Sequence, residues 1–210
     1  MHDYKFSLDW FSGNIPAWNR IFKPYKAKPV EILEVGSYEG RSAMWLLDNI
    51  LTHKDAKITC IDNFADKVVR YHGERVYNPD TLKNFKHNAK FHPGKITLLQ
   101  GHSGKMLRKL KPEQFSVIYL DANTYCKDVL EQAVLAFPLL KKGGLLIFDD
   151  YTYSKEHDTR CPRMCIDAFL NVYAKEIQVI QLSWQVIVRK RHKILPDQEC
   201  FSEYFKEPRR

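Results

Sequence analysis

Four carboxylates, Glu34, Asp62, Asp121 and Asp149, each stand where an apolar run of the chain gives out, and a fifth, Asp150, follows directly. Acids in such places can accept hydrogen bonds from hydroxyls, offset a bound cation or hold a hard metal ion. The first belongs to Glu34-Val35-Gly36-Ser37-Tyr38-Glu39-Gly40, where an apolar run ends in an acid, turns over a glycine and enters a helix. That is the form of a nucleotide-binding turn at the carboxyl end of a parallel strand. A dinucleotide site has Gly-x-Gly-x-x-Gly, whose second glycine lets backbone approach a pyrophosphate. Here the spacing is Glu-x-Gly-x-x-x-Gly. It disfavours a pyrophosphate and suits a cationic ligand beside the acid.

Asp62 follows the glycine turn by roughly 20 or more residues, the interval at which a carboxylate meets ribose hydroxyls. A nucleoside that carries a sulfonium and no phosphate, S-adenosylmethionine, satisfies both features. Asp121, Asp149 and Asp150 form a second constellation. Three carboxylates converging in a cleft repel one another, so a divalent cation or raised pKa values should compensate. All-oxygen ligation favours Mg²⁺ or Ca²⁺ over zinc, and Mg²⁺ could bind vicinal hydroxyls of a substrate and acidify one of them. The plainer alternative is that Asp150 points outward while Asp149 caps the following loop.

The elements that must position these acids alternate along the chain. Residues 30–35, 57–61, 96–99, 115–120 and 145–148 read as strands, with the last two apolar enough to be covered on both faces. Helices are expected from about Arg41, over 81–90, after Gly101-His102-Ser103, over 127–140 (ended by Gly143-Gly144) and after Pro162. Residues 63–79, polar and aromatic, look like a lid or insertion. Two last strands, 177–182 and 184–190, lie too close for a crossover helix and should pair antiparallel. The expected fold is a doubly wound α/β domain of Rossmann-like form. Its seven-stranded sheet is mostly parallel with one antiparallel C-terminal strand. Residues 1–28 form an aromatic helical segment, 29–192 the ligand-binding domain and 193–210 a tail.

The 210 residues suit one such domain, and 44% hydrophobic with 28% charged residues is ordinary for a globular protein. The net charge of +8 is spread in short clusters; the densest, Arg189-Lys190-Arg191-His192-Lys193, reads as a solvated strand edge rather than a nucleic-acid surface. Five cysteines are odd in number and lack a metal-ligand pattern, since Cys161 and Cys165 have no second pair. Thiols in a reducing cytoplasm account for them. Neither a signal peptide nor an apolar stretch of about 20 residues is evident, so no membrane partner is expected.

Taken together, these motifs resemble class I S-adenosylmethionine-dependent methyltransferases, in particular the small-molecule O-methyltransferase group that includes macrocin and catechol O-methyltransferases. The resemblance runs from about Val30 to Lys190. It rests on Glu34 to Gly40, Ile61-Asp62, Gly101-His102-Ser103, Leu120-Asp121-Ala122 and, most specifically, the stretch from Pro138 through Gly143-Gly144 to Asp149-Asp150-Tyr151. It implies that Glu34, Gly36 and Ser37 line the methionine half of the donor, with Tyr38 and Ser42 nearby. Asp62 would hold the ribose, and His102 and Ser103 would border the adenine. Asp121, Asp149 and Asp150 match the metal-holding positions of Mg²⁺-dependent relatives, which places Asp121 beside both donor and chemistry.

Relatives usually carry a Lys, His or Asp just after the first metal aspartate, where this chain has Asn123 and Thr124, neither a base near neutral pH. Metal activation alone, or His72 or His157 acting as base, would restore proton removal. Donor binding without turnover is the third course. The expected partner is a small-molecule acceptor, and the aromatic N-terminal segment could cover a second copy in a homo-oligomer. Rival readings are a nucleic-acid methyltransferase, favoured only by charge, and a nicotinamide dehydrogenase, which lacks its second glycine.

Overall fold

Apolar runs of five or six residues become strands, and the amphipathic runs between them become helices. The computed structural model describes residues 2–65, 68–72, 74–122, 125–153 and 161–195. The chain divides into two units, Met1–Lys109 and Leu110–Arg210. In the first, α1 (Ile15–Ile21) precedes β1 (Glu31–Val35), α2 (Arg41–Asn49), β2 (Lys57–Asp62), β3 (Val68–Tyr71), β4 (Glu74–Tyr77), α3 (Thr81–Ala89), β5 (Ile96–Gln100) and α4 (Ser103–Leu107). In the second come β6 (Phe115–Leu120), α5 (Cys126–Ala136), β7 (Leu140–Phe148), α6 (Pro162–Val172), β8 (Ile177–Leu182) and β9 (Val186–Lys190). Seven strands make one sheet in the order β5-β2-β1-β6-β7-β9-β8.

Within the first unit β2 pairs in parallel with both β1 and β5, so the loops after these strands leave from the same end. Residues opposite one another share a face, which sets Glu34 against Cys60 and Asp62 against Gln100. The aromatic N-terminal segment is anchored by Trp18, fully buried against Phe11, Phe22 and Trp45 at ring separations of 4.7, 4.9 and 5.8 Å. The segment expected as a lid contains a hairpin of its own: β3 and β4 pair antiparallel, from Val68 opposite Tyr77 to Tyr71 opposite Glu74.

In the second unit β6 and β7 run parallel, and β9 pairs antiparallel with β7 and with β8. β9 is thus the single strand opposed to its neighbours, as the short connection after β8 requires. One expectation is corrected here. Gly143 and Gly144 do not end a helix; they lie inside β7. The helix stops at Ala136 and tightens into a 3-10 turn over Phe137–Leu139, because Pro138 has no N–H to continue the ladder. The Lys190 ammonium then donates to the carbonyls of Phe137 and Leu140, at 3.2 and 2.8 Å. Gly144 is needed for close approach: a Cβ there would sit 2.9 Å from the carbonyl oxygens of Ser116 and Lys141. Gly144→Ala should therefore destabilise the protein by about 1–3 kcal/mol, read as a lower urea midpoint; an unchanged midpoint would contradict this account of the close approach.

Candidate functional site

The first unit brings Glu34, Gly36, Ser37, Tyr38, Ser42 and Asp62 together. β1 delivers Glu34 to a point without solvent access. Its Oε1 accepts from the Ser42 hydroxyl at 2.5 Å, and the Cys60 thiol lies 3.7 Å from Oε2, across the strand pair. Among the described residues no cation pairs with it. Burial pushes its pKa from 4.5 up to about 7; the charge of Asp62 adds to that, while contacts from Ser42, Ser37 and Cys60 pull the other way. Ser37 Oγ is near enough to act on Glu34 and Cys60 but completes no hydrogen bond of proper geometry, and it is buried. An orphan hydroxyl beside a buried carboxylate is a costly pair to leave without a ligand.

The turn itself is tied to Asp62. Gly36, at φ +92°, adopts the left-handed conformation that a side chain resists, and its N–H donates to the Ile61 carbonyl at 2.8 Å. Tyr38, also at positive φ, donates its N–H to Asp62 Oδ2 at 2.8 Å, and Phe64 N–H donates to Oδ1 at 2.7 Å. His102 and Ser103 follow β5 just past Gln100, the strand partner of Asp62. His102 is exposed at the start of α4. His72 stands apart from these, exposed on the β3–β4 turn with its ring 4.3 Å from that of Tyr71.

Sequence reasoning passed over Glu39, which stands just before the last glycine of the motif. It is buried, and it accepts from Ser7 N–H at 2.6 Å, Ser7 Oγ at 3.0 Å, Asn78 Nδ2 at 2.9 Å and Asn84 Nδ2 at 2.7 Å. Asn78 also lies 2.8 Å from the Tyr38 hydroxyl. One carboxylate thus joins the N-terminal segment, the donor turn and α3. Its partners lie far away in sequence, so no local pattern could have revealed it.

The second unit holds the other acids. Asp121 is exposed, Asp149 largely buried and Asp150 intermediate. A run of hydrogen bonds through Tyr119 and the Asp150 amide links the three. The Tyr119 phenol reaches Asp149 Oδ2 in a very short contact and Asp121 Oδ2 at 2.9 Å, and its one proton can serve only one of them at a time. Gln185 Nε2 donates to Asp149 Oδ2 at 2.9 Å, and Asp150 N–H to Asp149 Oδ1 at 2.8 Å. Asp150, at φ +60°, has its pKa raised from 3.8 to about 7 by burial and then by the Asp149 charge. The ligand atoms of the three aspartates are not all within 4.8 Å of one another, so this arrangement is not a ready three-acid cation site. Tyr119 was also missed, although its place two residues before Asp121 puts both on one face of the strand. His157, Asn123 and Thr124 lie outside the described residues.

Residues 33–151, more than half of the chain, match the family profile described as a methyltransferase domain. The chain belongs to this methyltransferase family. No curated protein sequence matches it. Solved structures share its fold. A Corynebacterium glutamicum protein is 14% identical with a TM-score of 0.62, over 90% of this chain and 84% of its own. A Klebsiella pneumoniae protein provisionally described as an O-methyltransferase is 15% identical with a TM-score of 0.66, over 89% and 83%. MycE, the methyltransferase of mycinamycin biosynthesis solved with Mg, S-adenosylhomocysteine and mycinamycin VI, is 13% identical with a TM-score of 0.60. That match covers 88% of this chain and 50% of MycE. The methyltransferase reading of the motifs, and the sheet with one opposed strand, therefore stand.

The raised pKa of Glu34 has a signed consequence for stability. Below about pH 4.5 both states carry the proton; between there and about 7 the unfolded chain has lost it while the folded protein keeps it. Folding binds the extra proton, so this group's contribution to stability falls as pH rises through that window. Asp150 adds a slope of the same sign. Urea unfolding of ligand-free protein at about pH 5 and about pH 7 should show a smaller loss for Glu34→Gln than for wild type; an equal loss in both would contradict a buried, protonated Glu34.

Proposed function

We propose that the protein is an S-adenosylmethionine-dependent O-methyltransferase acting on a hydroxyl of a small molecule in the cytoplasm. The observation that carries the reading is the sealed Glu34 carboxylate, which among the described residues has no cation beside it and has the unsatisfied Ser37 hydroxyl as neighbour. A donor with a sulfonium and an α-ammonium group supplies positive charge and polar partners together. Asp62 fits the ribose: a carboxylate has about four lone-pair positions, so it can fasten the Tyr38 and Phe64 amides and still accept from ribose hydroxyls. His102 and Ser103, at the end of the neighbouring strand, suit the adenine edge.

The bound donor supplies a methyl group on positively charged sulfur, open to in-line attack by an acceptor oxygen. The chain's part is to hold and orient: Glu34 and Ser37 fix the methionine half, and Asp62 fixes the sugar through the same backbone turn. Positioning of this kind is worth several kcal/mol. Asp121, whose carboxylate the Tyr119 phenol steadies, is the proposed acceptor of the proton that the substrate hydroxyl gives up, with His72 as rival. Asp121, Asp149 and Asp150 are the residues that would hold Mg²⁺, which would acidify the acceptor hydroxyl, and Tyr119, which links Asp121 and Asp149, would have to release them. Support for an oxygen acceptor comes from the O-methyltransferase description of the Klebsiella protein. Among the described residues Cys60, Cys126, Cys161 and Cys165 stand outside any disulfide, which suits a reducing compartment.

Calorimetric titration with S-adenosylmethionine tests the reading. Wild type should bind, and Asp62→Ala should weaken binding tenfold or more, about 1.4 kcal/mol. With the donor bound, a panel of hydroxylated small molecules should include one that gains a single methyl group by mass spectrometry. No binding by wild type, or undiminished binding by Asp62→Ala, would overturn it.

A further inference from the structure

We propose that His2, Asp48 and His92 form a zinc-binding site, separate from the donor turn, that clamps the N-terminal segment to the ends of α2 and α3. His2 comes from the N-terminal segment, Asp48 from the last turn of α2 and His92 from the turn after α3. Their ligand atoms all lie within 4.8 Å of one another, the one such triad among the described residues. His92 Nε2 is 3.3 Å and His2 Nε2 3.8 Å from the same atom, Asp48 Oδ1. Tetrahedral zinc, with ligands at about 2.0–2.1 Å, sets neighbouring ligand atoms about 3.4 Å apart. Of the three edges, His92 to Asp48 already has about that length, His2 to Asp48 needs to close by a few tenths of an ångström, and the two imidazoles lie within 4.8 Å of each other. At 3.8 Å His2 Nε2 is too distant for a hydrogen bond to Asp48, so a metal would supply the bond that the ring now lacks.

The surroundings hold these rings in place. His2 stacks on Phe91 at 4.8 Å, and Tyr4 stands edge-on to Phe91 at 5.4 Å. The Tyr4 hydroxyl lies 2.6 Å from His92 Nε2 and 3.1 Å from each Asp48 oxygen; a metal on the imidazole would displace it from that nitrogen and leave it as a second-layer donor to the carboxylate. Two imidazoles and one carboxylate favour zinc over Mg²⁺, whose preference is for oxygen.

The site touches the donor turn through one helix. Ser42, which donates to Glu34, and Asp48 are six residues apart on α2, about 9 Å along its axis. The clamped segment continues to Ser7, whose amide and hydroxyl both bind Glu39. A metal here would therefore stiffen the scaffold of the donor turn without entering the reaction.

The full chain, freed of metal with a chelator, is titrated with ZnCl₂ by calorimetry and followed by thermal unfolding; Co²⁺ is then substituted and its visible spectrum recorded. One equivalent of zinc should bind and raise the midpoint of unfolding, and Co²⁺ should give the intense bands of tetrahedral ligation. His2→Ala, whose side chain is near the surface, and His92→Ala should each weaken zinc binding at least tenfold, and Asp48→Asn likewise. Should His92→Ala fail to fold, His2→Ala alone decides. No zinc binding by wild type, or binding undiminished in His2→Ala, would overturn the proposal; neither outcome touches the S-adenosylmethionine reading, which the Asp62 titration tests by itself.

Discussion

A carboxylate sealed from water at the end of β1 sets the terms for the structure around it. Glu34 has no access to solvent, and among the described residues no cation offsets it, so it holds its proton well above the usual carboxylate range. Such a group costs folding energy in the ligand-free protein. The surrounding turn accepts that cost: Gly36 and Tyr38 adopt left-handed backbone, and Asp62 fastens Tyr38 and Phe64 through both its oxygens. Glu39 then secures the same turn from its other side. These features make sense as a receptor kept ready for positive charge. They would be poor economy in a purely structural strand end.

Much of the fold was legible because its signals are local. The apolar run Phe115–Leu120 is a strand over its whole length. The short connection between the last two strands forced an antiparallel pair, and the single opposed strand follows from it. Where the expectation failed, a neighbour in space had decided. Two glycines after an amphipathic helix look like a terminator, yet here Pro138 and the Lys190 ammonium end the helix first, and Gly144 serves the close packing of β7 on Ser116. The polar and aromatic segment after β2 carried no clean alternation, so its hairpin could not be read in advance.

The candidate site divides in the same manner. Glu34, Ser42 and Asp62 were readable because the glycine motif and strand register bring them together from nearby positions in β1, α2 and β2. The acids of the second unit were readable as a set, but the phenol that links two of them was not. Tyr119 intervenes, and one strand residue's hydroxyl changes what Asp121 and Asp149 can do. Glu39 and the triad of His2, Asp48 and His92 were beyond reach, since each draws its members from segments tens of residues apart.

Proton exchange on donor binding tests the central claim most directly. When S-adenosylmethionine places its positive charge beside Glu34, the carboxyl must ionise, and near pH 7 a fraction of a proton must leave the protein for each donor bound. Calorimetric titrations in two buffers of different ionisation enthalpy measure that number. The account predicts net proton release that grows below pH 7 and vanishes in Glu34→Gln. Binding with no proton exchange, or release that persists in Glu34→Gln, would contradict it.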